Sequence, residues 1–385
     1  MKTKLILALM LWPILLAGAA RAQADPELQS FLLQTLQETR DGKHLPAIAA
    51  LIQIDGKVAA EAAVGVRAEG HAEAVTVRDR WHIGSDGKAF TSALIARLVE
   101  QGVMSFDDTL AKAFPSFAEK MDPKYRSVTV TQLLSHTAGL PQLTDDKELP
   151  PFMAVIEPIR DVKAQRAAIA RKYLTMPPAG KAGDFSYSNL GFIIAGAIAE
   201  ARTGKAWETL IREQVFGPLD IGNAGFGAPG LSSRIDQPRG HTESKGTLVA
   251  LDPGSADADN PAALGPAGTI SISLQDWVRF AQDQLDGESG QGKLLKPASY
   301  QKLHTVVSHN YALGWGVLRD SHGTLQLLTH TGSNGYWLAD VRILPQRKMI
   351  ILIATNVGNE AGSQAIKDIR KSLKDRLKLL VPGTP

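Results

Sequence analysis

Ser85 and Lys88 are the first pair of residues in the sequence whose types and spacing could do chemistry. Residues three apart on a helix share one face, so a lysine at this spacing can reach the serine hydroxyl. The N-terminus of a helix also favours the negative charge that develops on an attacking oxygen and on an oxyanion. The pair indicates a serine nucleophile activated by a lysine, although serine is also a common helix N-cap.

A second motif, Tyr187-Ser188-Asn189, stands directly before the apolar run LGFIIAGAIAEARTG. A tyrosine and an asparagine two residues apart, in a loop before a helix, can both point into one cleft. The alternative is a half-buried tyrosine followed by an asparagine that caps the helix.

The third motif is His330-Thr331-Gly332, at the end of a predicted strand. The glycine has no side chain to block a ligand that lies along the strand edge. The next amide, on Ser333, could donate a hydrogen bond to an oxyanion. A single strand histidine is otherwise more often structural or simply exposed.

The order and spacing of the three motifs resemble the serine β-lactamase and penicillin-binding protein superfamily. Its pattern is Ser-x-x-Lys on a helix, Tyr-x-Asn on a loop and Lys/His-Thr/Ser-Gly on a strand. Supporting segments are WHIGSDGKAFTSALIARLVEQG, LLSHTAGLP, YSNLGFIIAGAIAEARTG and the GWG of residues 314–316. The similarity covers about residues 30–375, and it is greatest to class C β-lactamases, DD-carboxypeptidases and related esterases.

This resemblance implies a catalytic role for three residues. Ser85 would attack the carbonyl carbon of an ester or amide, and Lys88 and Tyr187 would share the removal of its proton. Both bases need a pKa below the ordinary value of about 10 to act near neutrality. We expect their proximity and burial to lower both values, because a cationic lysine favours a phenolate and burial disfavours an ammonium.

The resemblance also implies a set of substrate-binding residues. The backbone N–H groups of Ser85 and Ser333 would form the oxyanion hole, and Asn189 would hold the substrate amide or the Lys88 amine. The substrate-binding residues are Asn189, His330, Thr331, Gly332 and Ser333. The expected partner is a small-molecule or peptide substrate, and no cofactor or metal is implied.

His330 departs from the β-lactamases of the superfamily, most of which have a lysine there that helps to hold a β-lactam carboxylate. A histidine with an ordinary pKa near 6.5 is mostly neutral at pH 7. Arg319 is the nearest other cation, at a predicted strand end. His-Thr-Gly together with Tyr-Ser-Asn is more similar to the DD-carboxypeptidases and esterases of the superfamily. A DD-carboxypeptidase would also need a cation for the peptide C-terminus, and the lack of a clear one shifts the expected substrates toward esters and small amides.

Rival chemistries have little support in the sequence. There is no cysteine, which excludes thiolate catalysis, disulfides and cysteine-based zinc sites. Neither a Gly-x-Ser-x-Gly nor a His-Glu-x-x-His motif occurs. His136 is interpreted as a packing or hydrogen-bonding residue, and Asp257-x-Asp259-Asn260, which resembles part of a calcium loop, as a solvated loop.

Residues 1–24 have the parts of a secretory signal peptide: a basic start, an apolar run and the small residues Ala22 and Ala24. They hold three of the 42 Lys+Arg and none of the 39 Asp+Glu, so the rest of the chain has 39 of each. A net charge near zero argues against nucleic acid as a partner. The sequence therefore predicts a secreted or periplasmic protein without a stable membrane anchor after cleavage.

The chain ends are predicted to form strands. After a helix at 26–39, two apolar strands meet at Asp55-Gly56, a strong hairpin signal. Four further strands fall within 311–319, 324–331, 335–345 and 348–356, and a final helix covers 361–379. Such close spacing is typical of an antiparallel meander.

The middle of the chain is predicted to be mostly helical. A helix from about Ser85 to Gln101 would bury the stripe Phe90, Leu94, Leu98 and Val99. Further helices are predicted near 131–136, 163–175, 189–203, 206–216 and 273–286, with irregular chain at 222–268.

The resulting fold class is α+β: one antiparallel sheet, flanked by helices, from about 26–85 and 305–385, and a mainly helical second lobe from about 86–304. Residues 25–385 would form a single β-lactamase-like serine hydrolase domain with its site between the lobes. Two functions stay open: an exported hydrolase with turnover, and a penicillin-binding or sensor protein that is acylated without efficient turnover.

Overall fold

The computed structural model describes residues 25–144 and 146–379, so the predicted signal peptide lies outside the described residues. The eleven strands in these ranges are β1 Ala47–Ile54, β2 Lys57–Gly65, β3 Arg80–His82, β4 Ala224–Phe226, β5 His241–Ser244, β6 Thr247–Ala250, β7 Ile270–Ser273, β8 Gly316–Arg319, β9 Leu325–Ser333, β10 Leu338–Leu344 and β11 Met349–Thr355. No helix in these ranges is long and apolar enough to cross a bilayer.

The α-helices of the same ranges are α1 Pro26–Lys43, α2 Gly87–Glu100, α3 Leu110–Ala113, α4 Pro123–Arg126, α5 Val130–Leu134, α6 Leu149–Ile156, α7 Val162–Leu174, α8 Asn189–Thr203, α9 Trp207–Ile211, α10 Gly265–Gly268, α11 Leu274–Gly287, α12 Pro297–Leu303 and α13 Glu360–Arg376. A 3₁₀ turn at Gly84–Asp86 precedes α2, and a π-helical turn at Arg212–Phe216 follows α9.

Six strands form one antiparallel sheet in the order β2-β1-β11-β10-β9-β8, which confirms the predicted sheet from both chain ends. Asp55 and Gly56 close the β1–β2 hairpin with φ of 49° and 74°, the pair of positive values that a type I′ turn requires. The turn was predictable because only a few residue types adopt this backbone without strain.

Both faces of the central strands are buried. Along β1, Ala47, Ala49 and Leu51 enter one apolar cluster, whereas Ile48, Ala50 and Ile52 enter another on the opposite face. Alternate residues of a strand point to opposite faces, so the sheet separates two cores. Helices α1 and α13 cover one face, and α2, α11 and most other helices pack with the larger core on the other.

Helix α2 is buried more completely than its predicted stripe. Phe90, Leu94 and Leu98 are buried as expected and Val99 is half-buried, but nearly every other residue of the helix is buried as well. A helix that is enclosed on all sides belongs to the core. Consequently Lys88, in its first turn, has no access to bulk water.

A second sheet, β3-β7-β4, was not predicted from the sequence. Its strands have three or four residues each, too short for a recognisable alternation. Its strand β4, together with the separate two-stranded sheet of β5 and β6, falls in the segment 222–268 that we expected to be irregular. Strand β3 leads through Ile83 into the Gly84–Asp86 turn, which contains Ser85.

Candidate active site

Ser85 lies in the 3₁₀ turn Gly84–Asp86 and not in the first turn of α2 itself. Strand β9 runs directly against this turn. A Cβ placed on Gly332 would lie 2.0 Å from the Ile83 carbonyl oxygen and 2.6 Å from the Ser85 nitrogen. The space that Gly332 leaves is therefore filled by the Gly84–Asp86 turn and the residue before it, whereas a ligand was expected there.

The same close packing brings the two predicted oxyanion donors together. Gly84 has φ of +48°, and a Cβ there would lie 2.4 Å from the Ser333 nitrogen. Glycine is required at this position both for the backbone conformation and for the approach of the strand. The amides of Ser85 and Ser333 consequently lie on neighbouring segments at one edge of the site.

Lys88 is fully buried, and its Nζ has three oxygen neighbours. It lies 2.9 Å from Ser85 Oγ, and it donates to Asn189 Oδ1 at 2.7 Å and to the Ala267 carbonyl at 2.7 Å. The orientation of the Asn189 amide is set by its Nδ2, which donates to the Leu143 carbonyl at 2.8 Å. Ser85, Lys88 and Asn189, predicted from two separate motifs, are thus brought into one hydrogen-bonded group.

Burial lowers the pKa of Lys88 to about 7, and the nearby Asp86 carboxyl opposes that shift. This agrees with the expected direction. A neutral amine has two N–H groups and one lone pair. Asn189 Oδ1 and the Ala267 carbonyl can accept the two N–H groups, which leaves the lone pair for the Ser85 hydroxyl.

Tyr187 stands beside this group, with Lys88 Nζ 4.9 Å from the centre of its ring. Its pKa is raised, mainly by burial, and a hydrogen bond with Ser85 only partly opposes the increase. The prediction of a lowered pKa for Tyr187 is wrong in direction, because the sequence does not reveal how deeply the phenol is buried. The phenol of Tyr187 therefore keeps its proton near neutral pH.

His136 holds the Tyr187 segment in place. Its ring packs 4.2 Å from the Tyr187 ring, and its Nδ1 accepts from the Ser188 backbone N–H at 3.0 Å. Burial, with a contribution from the Lys88 charge, lowers the pKa of His136 to about 2. Its contacts are those of the packing and hydrogen-bonding residue that the sequence indicated.

A pocket of about 330 Å³ lies over Ser85. Of the predicted site residues, Ser85, Tyr187, Asn189 and Ser333 line it. The other lining residues are Leu143, Thr144, Leu149, Asn260, Leu264, Ala267, Gly268, Asn334 and Gly335. All of these lining side chains are uncharged, as far as the residues within 25–144 and 146–379 show.

His330 and Thr331 are not among the residues that line this pocket. His330 is buried behind the Gly84–Asp86 turn, where its Nε2 lies 3.1 Å from Tyr311 Oη and its Nδ1 3.0 Å from the Thr331 carbonyl. The hydroxyl of Thr331 donates to Asp340 at 2.9 Å, toward the other face of the sheet. Direct contact of these two side chains with a substrate stays a prediction.

His330 is also held neutral by its surroundings. Burial, assisted by the Lys88 charge, lowers its pKa to about 3. The expectation of a mostly neutral histidine at pH 7 therefore agrees with the structure, and neutrality extends far below pH 7. Arg319 does not replace the missing cation, because its guanidinium pairs with Glu288 at 3.1 Å outside the pocket.

Several residues of the site had no signal in the sequence. The segment 222–268, expected to be irregular, contributes the Ala267 carbonyl that accepts from Lys88. It also contributes Asn260 and Gly268 to the pocket wall. Asp259 was interpreted as part of a solvated loop, but it lies 2.9 Å from His82 Nε2 and its side chain is only 11% exposed. Only the three-dimensional fold brings these segments to Ser85.

Comparison with known proteins agrees with this fold. The family model described as Beta-lactamase matches residues 32–374, and the chain belongs to this family. The chain is 29% identical over 335 residues to penicillin-binding protein 4 of Amycolatopsis lactamdurans, covering 83% of each chain. It is 24% identical to protein flp of Staphylococcus aureus strain MW2, where the match covers 86% of this chain and 63% of that protein.

Two solved structures have a similar fold. The octameric penicillin-binding protein homologue from Pyrococcus abyssi superposes with a TM-score of 0.70 at 22% identity, covering 92% of this chain and 77% of that one. The structure described as SurE superposes with a TM-score of 0.70 at 25% identity, covering 94% and 80%. The family match supports a serine hydrolase or a protein that is acylated like a penicillin-binding protein.

Proposed function

We propose that this protein is a serine hydrolase that forms an acyl-enzyme on Ser85 and acts on esters or amides without a carboxylate beside the scissile bond. The observation that carries the proposal is the environment of the Lys88 amine, 2.9 Å from Ser85 Oγ and with two fixed acceptors for its N–H groups. With a pKa of about 7, a large fraction of this amine is neutral at physiological pH.

In the proposed mechanism, neutral Lys88 takes the proton of the Ser85 hydroxyl as the oxygen attacks the carbonyl carbon. The amides of Ser85 and Ser333 stabilise the oxyanion. Tyr187, which keeps its proton because its pKa is raised, donates it to the leaving group and recovers it through the Lys88 ammonium. Water then hydrolyses the acyl-enzyme and restores Ser85.

The substrate class follows from the uncharged pocket. A carboxylate that is taken out of water without a charged or strongly donating partner is costly. Within the described residues the lining side chains include no lysine or arginine, and His330 stays neutral behind the turn. This supports neutral esters and small amides over penicillins and D-alanyl peptides, both of which carry a carboxylate.

We also propose that the protein is exported, so that it acts in the periplasm or outside the cell. The support is the order of the basic start, the apolar run from Leu5 to Ala20 and the small residues Ala22 and Ala24. Expression in a Gram-negative host, followed by N-terminal sequencing, tests this. A mature chain that begins at Asp25 is expected, and a retained Met1 in the membrane fraction would contradict it.

The hydrolase proposal is tested with a neutral chromogenic ester and a chromogenic cephalosporin. Ser85→Ala should lower ester turnover at least ~10³-fold while the fold is kept, because the nucleophile is lost. Ser30→Ala, an exposed serine on α1, is the control and should keep wild-type turnover. A long-lived adduct without ester turnover would favour the acylated sensor, and full activity of Ser85→Ala would refute both functions.

A further inference from the structure

His82 is a fully buried histidine at the end of β3, two residues before Gly84, the first residue of the Gly84–Asp86 turn. Its Nδ1 accepts from the Gly84 backbone N–H at 3.1 Å. A ring nitrogen that accepts carries no proton, so the proton of the neutral ring is on Nε2. That nitrogen faces the carboxylate of Asp259, 2.9 Å from Oδ1.

The contact between His82 and Asp259 is an electrostatic attraction and not a well-aligned hydrogen bond. Nε2 and Oδ1 are within hydrogen-bond distance, but the N–H is not aligned for a hydrogen bond. In a buried environment the attraction between the N–H dipole and the carboxylate is nevertheless strong, because little water is present to screen it. The carboxylate thereby favours the tautomer in which Nδ1 can hold Gly84.

Asp259 also holds two walls of the pocket. Its Oδ1 accepts from Asn334 Nδ2 at 2.8 Å and from the Asn260 backbone N–H at 2.7 Å. Asn260 in turn donates to the Gly268 carbonyl at 3.1 Å. Asn260, Gly268 and Asn334 all line the pocket over Ser85.

We propose that His82 and Asp259 are a pair of positioning residues that tie the Gly84–Asp86 turn to the pocket walls at Asn260 and Asn334. Neither side chain lines the pocket, so the pair acts through the groups that it holds. The role in catalysis rests on the proposed function of Ser85. The pair fixes the Gly84–Asp86 turn relative to the segment that carries the Ser333 amide. The proposed acylation depends on the relative position of these two segments.

Four variants test the pair. Asp259→Ala removes the shared acceptor, and we expect kcat for a neutral ester to fall about 10- to 100-fold, the loss that follows a misplacement of about 1 Å. Asp259→Asn keeps an oxygen acceptor for Asn334 and Asn260 but loses the charge that faces His82, and His82→Asn keeps an acceptor near the Nδ1 position but loses the Nε2 contact with Asp259. Each should therefore have a kcat between that of wild type and that of Asp259→Ala. Asp257→Ala, an exposed acid in the same loop, is the matched control and should equal wild type.

A second readout does not depend on turnover. Amide hydrogen exchange in peptides that cover 83–86 and 332–336 should be faster in Asp259→Ala than in Asp257→Ala, while exchange in helix α1 is unchanged. If the wild type shows no Ser85-dependent turnover, the proposed function fails, but this exchange measurement still decides the positioning role.

Two results would overturn the proposal. One is exchange and kcat in Asp259→Ala equal to those of Asp257→Ala. The other is faster exchange throughout the chain in Asp259→Ala, including α1, together with no recovery in Asp259→Asn, which would make Asp259 a general stability residue.

Discussion

Asn189→Asp is the substitution that most sharply separates Lys88 from other candidate bases. The Asn189 Oδ1 is 2.7 Å from Lys88 Nζ, so the variant places a carboxylate in contact with the amine. An opposite charge at this distance favours the ammonium and raises a pKa by about 1–3. The pKa of Lys88 should therefore move from about 7 to about 8–10.

The magnitude follows from the neutral fraction of the amine. At pH 7.5 a lysine with a pKa of about 7 is roughly three-quarters neutral, whereas an ordinary lysine at 10.5 is roughly one-thousandth neutral. Burial of Lys88 thus increases the neutral fraction of the amine several hundredfold at pH 7.5. In Asn189→Asp the neutral fraction, and with it the acylation rate at pH 7.5, should fall about 3- to 200-fold.

The assay is kcat/KM for a neutral ester, followed by pH-stat between pH 5 and pH 10, because this parameter reports groups of the free enzyme. The wild-type rate should rise with pH as Lys88 loses its proton, with a midpoint near 7. In Asn189→Asp the midpoint should move upward and the rate should recover at high pH.

Asn189→Leu is the control, with a similar shape and no charge. It loses both the acceptor for Lys88 Nζ and the donor to the Leu143 carbonyl but adds no charge, so its rate should fall without an upward shift of the midpoint. The assignment of Lys88 as the base would be refuted if kcat/KM of Asn189→Asp were lowered equally at every pH. It would also be refuted if the wild-type kcat/KM did not rise between pH 6 and pH 8.

Three further outcomes are expected. His330→Gln should leave the midpoint of the kcat/KM–pH profile within about 0.3 pH units of wild type, since the pKa of His330 is already about 3. A larger shift in the same pH-stat assay would assign the rise of the rate with pH to His330. Gly332→Ala should lower kcat at least ~100-fold, because its Cβ would lie 2.0 Å from the Ile83 carbonyl oxygen. Gly42→Ala, whose Cβ would meet no neighbouring atom of the described residues within 4 Å, is its control, and equal kcat values for the two variants would contradict the packing argument. Arg166→Met should lower the free energy of unfolding in urea by about 3–5 kcal/mol, because it leaves the Glu200 carboxylate buried without its partner at 2.6 Å; an unchanged urea midpoint would contradict this.

The parts of the fold that the sequence predicts are those set by local chemistry. The Asp55-Gly56 turn and the meander of β8 to β11 follow from turn residues and short apolar runs. The spacing of Ser85 and Lys88 is likewise local, since three residues on a helical turn place both side chains together. These predictions did not require any knowledge of the tertiary packing.

The parts that could not be predicted depend on segments distant in sequence. The raised pKa of Tyr187 comes from burial, to which the ring of His136 contributes packing from another segment. The His82–Asp259 contact joins a short strand to a loop that has the composition of a solvated one. Composition and periodicity describe neighbouring residues, so they give no sign of either contact between distant segments.

The proposed acyl-enzyme is tested most directly by stopping the reaction with a neutral ester in acid during the steady state and locating the added acyl mass by peptide mapping. We expect an adduct on the peptide that contains Ser85, formed at a rate no slower than turnover and absent from Ser85→Ala. An adduct on any other residue, or ester turnover by Ser85→Ala at the wild-type rate, would contradict it.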